Sequence, residues 1–463
     1  MFGTGLGAYI PIAIYVCVLS TCLVSLFWRP EFGIYVAVGL LPLETTREHL
    51  RAYPLGDHVI YLLLISVLVG CLFRYGSIHV RTPLNKIIFI FAIVSYASLW
   101  RGAFYLSANA PLWSNDPRFS AWKDMMAMPL LFLASAYAIR SKRQMQIVVL
   151  IILMSFLAVD QLFIRNMLVR NLSHFDESKR DPGALGYAGS NGLAAYAAQL
   201  TCFILGLAAF EKKILRRLAL YALAAVGAVA LMYTFSRGGY IGFLAGLLTL
   251  GVLKKRVYLV AVVVLLLTWG TILPTSVQER INMTYSKDAG LESSAHSRME
   301  LWQDAGQLIL DNPVFGTGFA TYGFMGRVGD LRDTHNFYVK MLVETGVIGL
   351  LIVLVLMAKM TWLSRSLYRQ EDPFFKGVGL GLLALCAVMV VVNLFGDRWT
   401  YIEINGVLWA MLGMAARVLL LVREAEKPCA VQGPEPLIAA PAWGKTGGAL
   451  NRPAPGSLRT PRA

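Results

Sequence analysis

Residues 377–395 read GVGLGLLALCAVMVVVNLF, a run without a single charged side chain. A helix needs about 20 mostly apolar residues to cross the hydrocarbon core of a bilayer. Similar apolar runs recur from Tyr9 to Val422. The chain of 463 residues is 57% hydrophobic and 15% charged, whereas soluble domains average about 45 to 50% apolar and about 25% charged residues. The composition predicts an all-α polytopic membrane protein and argues against a soluble enzyme.

The apolar runs predict 12 to 13 transmembrane helices. The thirteenth run, from Phe32 to Leu43, is short, and we interpret it as a tilted crossing rather than a re-entrant segment. The twelve clear spans lie near residues 9–27, 59–73, 87–105, 124–139, 145–163, 191–210, 218–235, 240–253, 257–273, 342–361, 377–395 and 403–422.

The charges predict which loops lie on which side of the membrane. The chain has 42 Lys and Arg against 27 Asp and Glu, a net charge of +15. In a membrane protein this surplus must be sorted by loop before nucleic acid is considered as a partner. Five short loops hold 16 basic and three acidic side chains, which places them in the cytoplasm. No nucleic acid partner is therefore expected. These loops are 74–86, 140–143, 211–217, 254–256 and 362–376.

The long loop 274–340 carries six basic and eight acidic side chains, which predicts the opposite, periplasmic side. The chain then divides into four regions. Residues 1–273 form spans with short loops, 274–340 form one large, partly helical periplasmic loop, and 341–422 form the last spans. Residues 423–463 contain seven prolines in 41 positions, which predicts a disordered cytoplasmic tail.

Several kinds of chemistry have no matching motif in this sequence. It contains no His-Glu-x-x-His, Cys-x-x-Cys or Gly-x-Ser-x-Gly motif and no dinucleotide-binding fingerprint. Its six histidines occur singly along the chain. We therefore expect no metal site and no cofactor.

Ser236-Arg237-Gly238-Gly239-Tyr240 lies between two apolar spans at the predicted external face. An arginine at this depth is costly unless it has a partner or reaches water, so Arg237 is a candidate site residue. The alternative is a side chain that extends to the membrane interface. The two glycines favour a functional role because they allow another chain or a ligand to approach the backbone closely.

A second candidate arginine opens a helix of the external loop. Ser297 and Glu300 form a capping-box pattern, which predicts a helix running from there to about Asp311. Arg298 would lie in the first turn, where free N–H groups and the helix dipole favour a phosphate. The alternative is an exposed arginine paired with Glu292. The apolar face, predicted to lie against the spans or the membrane surface, contains Leu301, Trp302, Ala305, Leu308 and Ile309.

His335 precedes the apolar run that begins near Met341. An imidazole with a reference pKa near 6.5 can take a proton from a hydroxyl at neutral pH. Asp333 could orient the ring. The alternative is that His335 only caps the following helix.

Three stretches together resemble the bacterial O-antigen ligase and polymerase superfamily of integral membrane glycan transferases. They are SRGGYIGF at 236–243, HSRMELWQDAGQLILDNPVFGTGFATY at 296–322 and DTHNFYVKMLVETGVIGLL at 333–351. Their order and the large external loop also fit the family, while the N-terminal third resembles it only in hydropathy. The resemblance implies that Arg237, Arg298 and His335 line one periplasmic cavity as catalytic residues.

The resemblance also implies a reaction: transfer of an oligo- or polysaccharide from undecaprenyl diphosphate to an acceptor hydroxyl, without metal, nucleotide or other cofactor. The site would face the periplasm from the bacterial inner membrane. The acceptor is the lipid A core for a ligase, which we favour, or the next repeat unit for a polymerase of O-antigen or exopolysaccharide. Lys123, Asn191 and Asp333 are weaker substrate-binding candidates; Lys123 could instead reach the interface, and Asn191 could cap a helix. Membrane lipids are the remaining expected partners, and the sequence does not predict an oligomeric state.

A lipid-linked sugar flippase or another transporter is the alternative from a different class. A transporter should show two related halves with polar residues near the middle of the bilayer. Here the strongest polar cluster is external and lies in the C-terminal half. Asp160 and Glu344 are the main acids within apolar runs, and Glu344 is predicted to pair with Lys340 one turn earlier.

Overall fold

The structure is a computed structural model. Contacts divide the chain into the units Met1–Val422 and Arg423–Ala463, and the helix bundle is the first of these. The predicted disordered tail lies outside the described residues from position 427 onward. The described residues are 9–76, 80–112, 116–283, 285–286, 290–291, 293–328 and 333–426.

The described residues are mainly helical, which confirms the predicted all-α class. One short antiparallel hairpin pairs β1 (Tyr285–Ser286) with β2 (Gly290–Leu291). The helices are α1 Ile10–Phe27, α2 Glu31–Leu40, α3 Glu44–Leu50, α4 Val59–Tyr75, α5 Asn85–Tyr105, α6 Pro117–Ala138, α7 Lys142–Leu168, α8 Gly189–Ala208, α9 Ile214–Tyr233, α10 Arg237–Leu253, α11 Val257–Ile272, α12 Thr275–Asn282, α13 Ser293–Asp311, α14 Tyr322–Met325, α15 Phe337–Tyr368, α16 Pro373–Val392 and α17 Ile402–Glu426.

Nine helices of the described chain are long and apolar enough to cross a membrane. A tenth span results if α11 and α12, which are bent by 106° at their junction, count as one. Two of the predicted spans, 124–139 and 240–253, are not among these nine helices. They correspond to α6 and to α10, and α10 is a shorter apolar helix of 17 residues. The count of 12 to 13 spans therefore stays a prediction.

The ambiguous thirteenth run forms the ten-residue helix α2. It begins just after Trp28, whose carbonyl accepts a hydrogen bond from Arg74 at the end of α4. It leads to α3, where Arg47 pairs with Glu403 at the start of α17, 2.5 Å away. Thus α2 connects the end of α4 to the opposite end of the bundle, where α4, α8 and α17 begin. We call this second end the upper end.

Helix α8 lies at the centre of the bundle, with α9, α10 and α16 packed around it. Nearly all of its residues from Gly192 to Ala208 are buried. Small residues allow this close packing. A Cβ atom at Gly206 would lie 2.4 Å from the backbone nitrogen of Gly381 on α16, so the two helices meet at glycines.

The glycines of SRGGYIGF serve helix packing. A Cβ atom at Gly239 would lie 2.6 Å from the Cβ of Ala194 on α8, and one at Gly238 would lie 2.7 Å from the Cβ of Phe395. The glycines therefore allow other segments of this same chain to approach α10 closely, which accounts for at least part of the close approach that the sequence predicts. This packing fixes the start of α10, and with it Arg237, against α8.

Helix α13 begins at Ser293, so the predicted start at Ser297 is wrong. Neither glycine nor proline occurs between Ser293 and Ser297 to stop the helix from extending backwards. Ser297 is therefore not the N-cap, and Arg298 lies in the second turn rather than beside the free N–H groups. The predicted apolar face is confirmed at three positions that are buried against Tyr322 and Val343. These positions are Leu301, Ala305 and Leu308.

Helix α15 is broken at Gly346, where φ is 65°. The break exposes carbonyl groups that a regular helix would use internally. The backbone N–H of Thr317 donates to Val343 O at 2.8 Å, and that of Gly318 donates to Glu344 O at 2.8 Å. The turn-rich segment Val314–Phe319 is thereby fixed against the start of α15.

Candidate active site

A cavity of about 690 Å³ opens at the upper end of the bundle. The starts of α8 and α10, the end of α16, parts of α12 and α13, and the loops before α15 and α17 form its walls. We call it the arginine cavity. Its polar and charged lining residues are Arg180, Asn191, Ser236, Arg237, Tyr240, Arg280, Arg298, His335 and Arg398.

The structure brings Arg237, Arg298 and His335 together in this cavity. They come from three separate parts of the chain: the first residue of α10, the second turn of α13 and the loop before α15. Arg237 and Arg298 are both half-buried. The alternative partner of Arg298, Glu292, lies outside the described residues.

Asn336, rather than His335, caps α15. Its side-chain oxygen accepts hydrogen bonds from the N–H groups of Tyr338 at 3.0 Å and Val339 at 3.2 Å. His335 has a left-handed backbone with φ of 51°, an unfavourable conformation for most residues. Such strain often occurs at functional sites. The geometry therefore does not support a capping role for His335.

Burial keeps His335 in the neutral form. Burial lowers the pKa of the imidazole below its usual value, the Arg298 and Arg398 guanidinium groups lower it further, and Asp333 partly opposes them. Asp333 Oδ2 lies 3.8 Å from His335 Nδ1, close enough to orient the ring electrostatically but too far for a good hydrogen bond. A neutral imidazole can accept a proton at pH 7.

Sequence reasoning missed three further arginines that line the cavity. Glu177 lies close to the guanidinium groups of two of them. Arg180 Nη1 lies 2.5 Å from Glu177 Oε1, and Arg280 Nη1 lies 3.7 Å from Glu177 Oε2. Arg280 is buried, and its guanidinium lies 4.7 Å from the ring centroid of Phe175. The loop between α7 and α8 therefore belongs to the site.

The third additional arginine, Arg398, belongs to the loop before α17. Burial lowers the pKa of its guanidinium, which stays charged at neutral pH. The backbone N–H of Arg398 donates a hydrogen bond to Asn393 Oδ1 at 2.9 Å, which fixes the loop.

Asn191 positions other cavity residues. Its side-chain oxygen accepts hydrogen bonds from Arg180 Nη2 at 2.6 Å and from Ser236 Oγ at 2.8 Å. No side-chain hydrogen bond caps α8, so the capping alternative does not hold for Asn191. Lys123 lies outside the lining of the arginine cavity: its ammonium is 3.5 Å from Asp124 Oδ1 and 5.1 Å from the ring centroid of Tyr61.

The lining of the cavity contains five arginines and, among the described residues, neither Asp nor Glu. Glu177 and Asp333 contact lining residues from outside the cavity. Five guanidinium groups, with no carboxylate among the described lining residues, make the wall of the cavity cationic. The site is therefore suited to an anion.

A signal for Arg180 was present in the sequence. The stretch between the spans at 145–163 and 191–210 is predicted to be external, yet it contains four basic residues. Basic residues on that side depart from the positive-inside rule and need a reason. These residues are Arg165, Arg170, Lys179 and Arg180.

A second, apolar cavity of about 410 Å³ adjoins the arginine cavity between α9, α10, α11 and α12. The two cavities share Tyr240 and Ile281. The remainder of the lining is mainly aliphatic, with Phe243 and Trp269. An apolar surface thus leads directly to the arginines.

Residues 219–354 match the family model described as O-antigen ligase. The resemblance to the O-antigen ligase superfamily is confirmed. No curated protein matches the chain. The matched residues include Arg237, Arg280, Arg298 and His335, whereas Arg180 and Arg398 come from outside the match.

The O-antigen ligase match supports a membrane protein with a glycan-processing role, either ligase-like or polymerase. It also supports a glycosyltransferase-like enzyme whose partners are a lipid-linked glycan and an acceptor.

Proposed function

We propose that the chain is a membrane glycosyltransferase that moves an oligo- or polysaccharide from undecaprenyl diphosphate to an acceptor hydroxyl. The observation that carries this proposal is the cavity with five arginines, no lining carboxylate among the described residues, and a histidine kept neutral by burial. The arginines stabilise the departing diphosphate, and the histidine takes the proton of the acceptor hydroxyl.

The two adjoining cavities match the two parts of such a donor. A diphosphate diester carries one negative charge on each phosphate, and the five arginines that line the arginine cavity offer it a cationic surface. Arginine binds phosphate through two parallel, charge-assisted hydrogen bonds, worth about 1.5 to 3 kcal/mol each. The apolar cavity that shares Tyr240 and Ile281 would take the beginning of the polyprenyl chain.

The reaction is a displacement at the anomeric carbon. The acceptor oxygen forms the new glycosidic bond while its proton passes to the free ring nitrogen of His335. The bond between the anomeric carbon and the diphosphate oxygen breaks, and the diphosphate leaves with the electron pair. Arg237 and Arg298 stabilise the charge that develops on that oxygen. Asp333 stabilises the imidazolium that forms.

We favour a ligase-like acceptor, with a repeat-unit polymerase as the alternative that uses the same chemistry. We place the arginine cavity at the periplasmic face of the bacterial inner membrane and the C-terminal tail in the cytoplasm. This placement rests on the 16 basic residues of the complementary short loops.

The proposal is tested with purified protein in proteoliposomes, supplied with an undecaprenyl-diphosphate oligosaccharide and a glycan acceptor. Product should form without added nucleotide, and a chelator should not change the rate. The reaction should need the acceptor. Absence of product with every acceptor tried, while the protein remains folded, would refute the proposal.

A further inference from the structure

A third cavity, of about 460 Å³, also lies at the upper end of the bundle. The helix α3, the starts of α4, α6 and α17, and one turn of α15 contribute to it. We call it the acidic cavity. Its acidic and aromatic lining residues include Glu44, Asp57, Asp124, Tyr187, Tyr401 and Glu403.

The acidic cavity and the arginine cavity share a wall, which is the loop before α17. Arg398 lines the arginine cavity, while Thr400 and Tyr401 line the acidic one. The same loop carries the buried Asp397, whose Oδ2 accepts hydrogen bonds from Lys340 Nζ and Thr400 Oγ1, both at 2.9 Å. A ligand in the acidic cavity would therefore lie next to the proposed reaction site.

The two cavities have opposite charge. Five carboxylates and three basic side chains line the acidic cavity, which gives it a net charge of −2. Burial and the nearby Glu403 raise the pKa of Glu44, whereas Arg47 opposes this shift. An additional anion would be repelled here, so the two cavities select different chemical groups.

Two tyrosines give this cavity an aromatic surface. The rings of Tyr187 and Tyr401 lie 6.1 Å apart with an interplanar angle of 37°. Tyr187 is 80% exposed, although its backbone N–H is held by Glu44 Oε2 at 2.8 Å. Burying an aromatic ring against an apolar surface is favourable, and the C–H face of a sugar offers one. Carboxylates accept hydrogen bonds from hydroxyl and ammonium groups.

We propose that the acidic cavity binds the acceptor saccharide and selects neutral or amine-bearing sugars over acidic ones. The acceptor role rests on the proposed glycosyl transfer, whereas the sugar selectivity does not. The arginine cavity holds the anionic donor, and its negatively charged neighbour excludes a second anion. Donor and acceptor are thereby sorted by charge before they meet at His335.

Binding is measured by isothermal titration calorimetry on the full-length protein in detergent, without donor. The probes are maltohexaose, which is neutral, a glucosamine hexamer, which is cationic, and hexagalacturonate, which is anionic. The neutral and cationic hexamers should bind, and the anionic one should not. Absence of binding for the first two probes, or tightest binding of hexagalacturonate, would overturn the proposal.

Two pairs of variants locate the binding. Tyr187→Ala should weaken maltohexaose binding about 3- to 10-fold, since one aromatic contact is lost. Phe104→Ala, which removes an aromatic ring that is 78% exposed elsewhere, should have no effect. The double variant Asp57→Asn and Asp124→Asn should weaken glucosamine-hexamer binding more than maltohexaose binding, whereas Asp311→Asn should change neither. The proposed site would be contradicted if Phe104→Ala weakened binding as much as Tyr187→Ala does. It would also be contradicted if Asp311→Asn weakened binding as much as the double variant does.

The acceptor role has its own readout in the transfer assay. Tyr187→Ala should raise the KM for the acceptor and leave the KM for the donor unchanged. Normal transfer with an unchanged acceptor KM would refute the acceptor site while leaving the glycosyltransferase proposal intact. Sugar binding that depends on Tyr187, in a protein that transfers no glycan, would instead refute the proposed function alone.

Discussion

At the scale of single residues, the balance between burial and charge decides what His335 can do. Burial and two arginines favour the neutral imidazole, and Asp333 partly opposes them. A general base contributes about 10² to 10⁴ in rate. We expect His335→Ala and His335→Gln to lower the transfer rate by that order while donor binding stays within a few-fold of wild type. Comparable rates in His335→Gln and wild type would contradict the role as a base.

The same balance predicts a pH dependence. Because the pKa of His335 is lowered below its usual value near 6.5, the base form is present throughout the neutral range. The transfer rate at saturating donor should rise with pH through the pKa of His335 and be flat above it. Asp333→Asn removes a negative charge that raises the pKa of His335, so the rising limb should move to lower pH. A shift of the rising limb to higher pH would show that the Asp333 carboxylate does not raise the pKa of His335.

The anion site gives a third residue-scale prediction. Arg237→Ala and Arg298→Ala should each abolish most transfer, and Lys should restore it only partly, since Lys lacks the planar fork of arginine. Arg327 is a control because it pairs with Asp304 at 2.7 Å and does not line the arginine cavity. Arg327→Ala should retain transfer. Normal glycan assembly in a strain with Arg237→Ala and an unchanged protein level would count against the site.

Single residues also show how far sequence reasoning reaches. Arg237, Arg298 and His335 were predicted because each lies in a recognisable motif. Arg398 carries no local motif and joins the site only because α17 begins beside α8. The predicted pairing of Glu344 with Lys340 holds only as an electrostatic attraction: Lys340 makes its salt bridge with Asp397, and Glu344 Oε2 accepts a hydrogen bond from the Ala320 N–H at 3.0 Å. Helical spacing could not reveal a partner 57 residues away.

At the scale of elements, the broken helix α15 connects the large loop to the bundle. A Cβ atom at Gly346 would lie 2.2 Å from Val314 O, and φ there is 65°. We expect Gly346→Ala to destabilise the protein by about 1 to 3 kcal/mol through strain and overpacking. Gly270→Ala is the matched control, because no atom lies within 4 Å of its Cβ position. Thermal unfolding in detergent measures both, and equal unfolding temperatures would contradict this account of the break.

The sequence predicted the presence of helices better than the residues at which they begin and end. The apolar face of α13 was correct because burial follows helical periodicity. Its start was wrong because the Ser297 and Glu300 pattern also fits the inside of a longer helix. The break in α15 could not be predicted, since a glycine within an apolar helix is common, and the backbone partner that requires it lies about 30 residues earlier at Val314.

At the scale of the whole molecule, the site model requires the large loop and the short basic loops to lie on opposite sides of the membrane. Cysteines introduced at Gly306 in α13 and at Lys212 between α8 and α9 report on the two sides. A reagent that cannot cross the membrane should label Gly306→Cys in intact spheroplasts and Lys212→Cys only after permeabilisation. Wild-type protein gives the background from native cysteines. Labelling of both positions from outside would refute the predicted topology.

The proposed glycosyltransferase breaks a bond of its lipid-linked donor, whereas a transporter would move the whole lipid. The most direct measurement is the amount of undecaprenyl diphosphate released for each glycosidic bond formed, in proteoliposomes with and without acceptor. We predict one released per bond, no release without acceptor, and loss of both signals in His335→Gln. Translocation of intact lipid-linked oligosaccharide without release, whatever acceptor is present, would show a transporter and contradict the account.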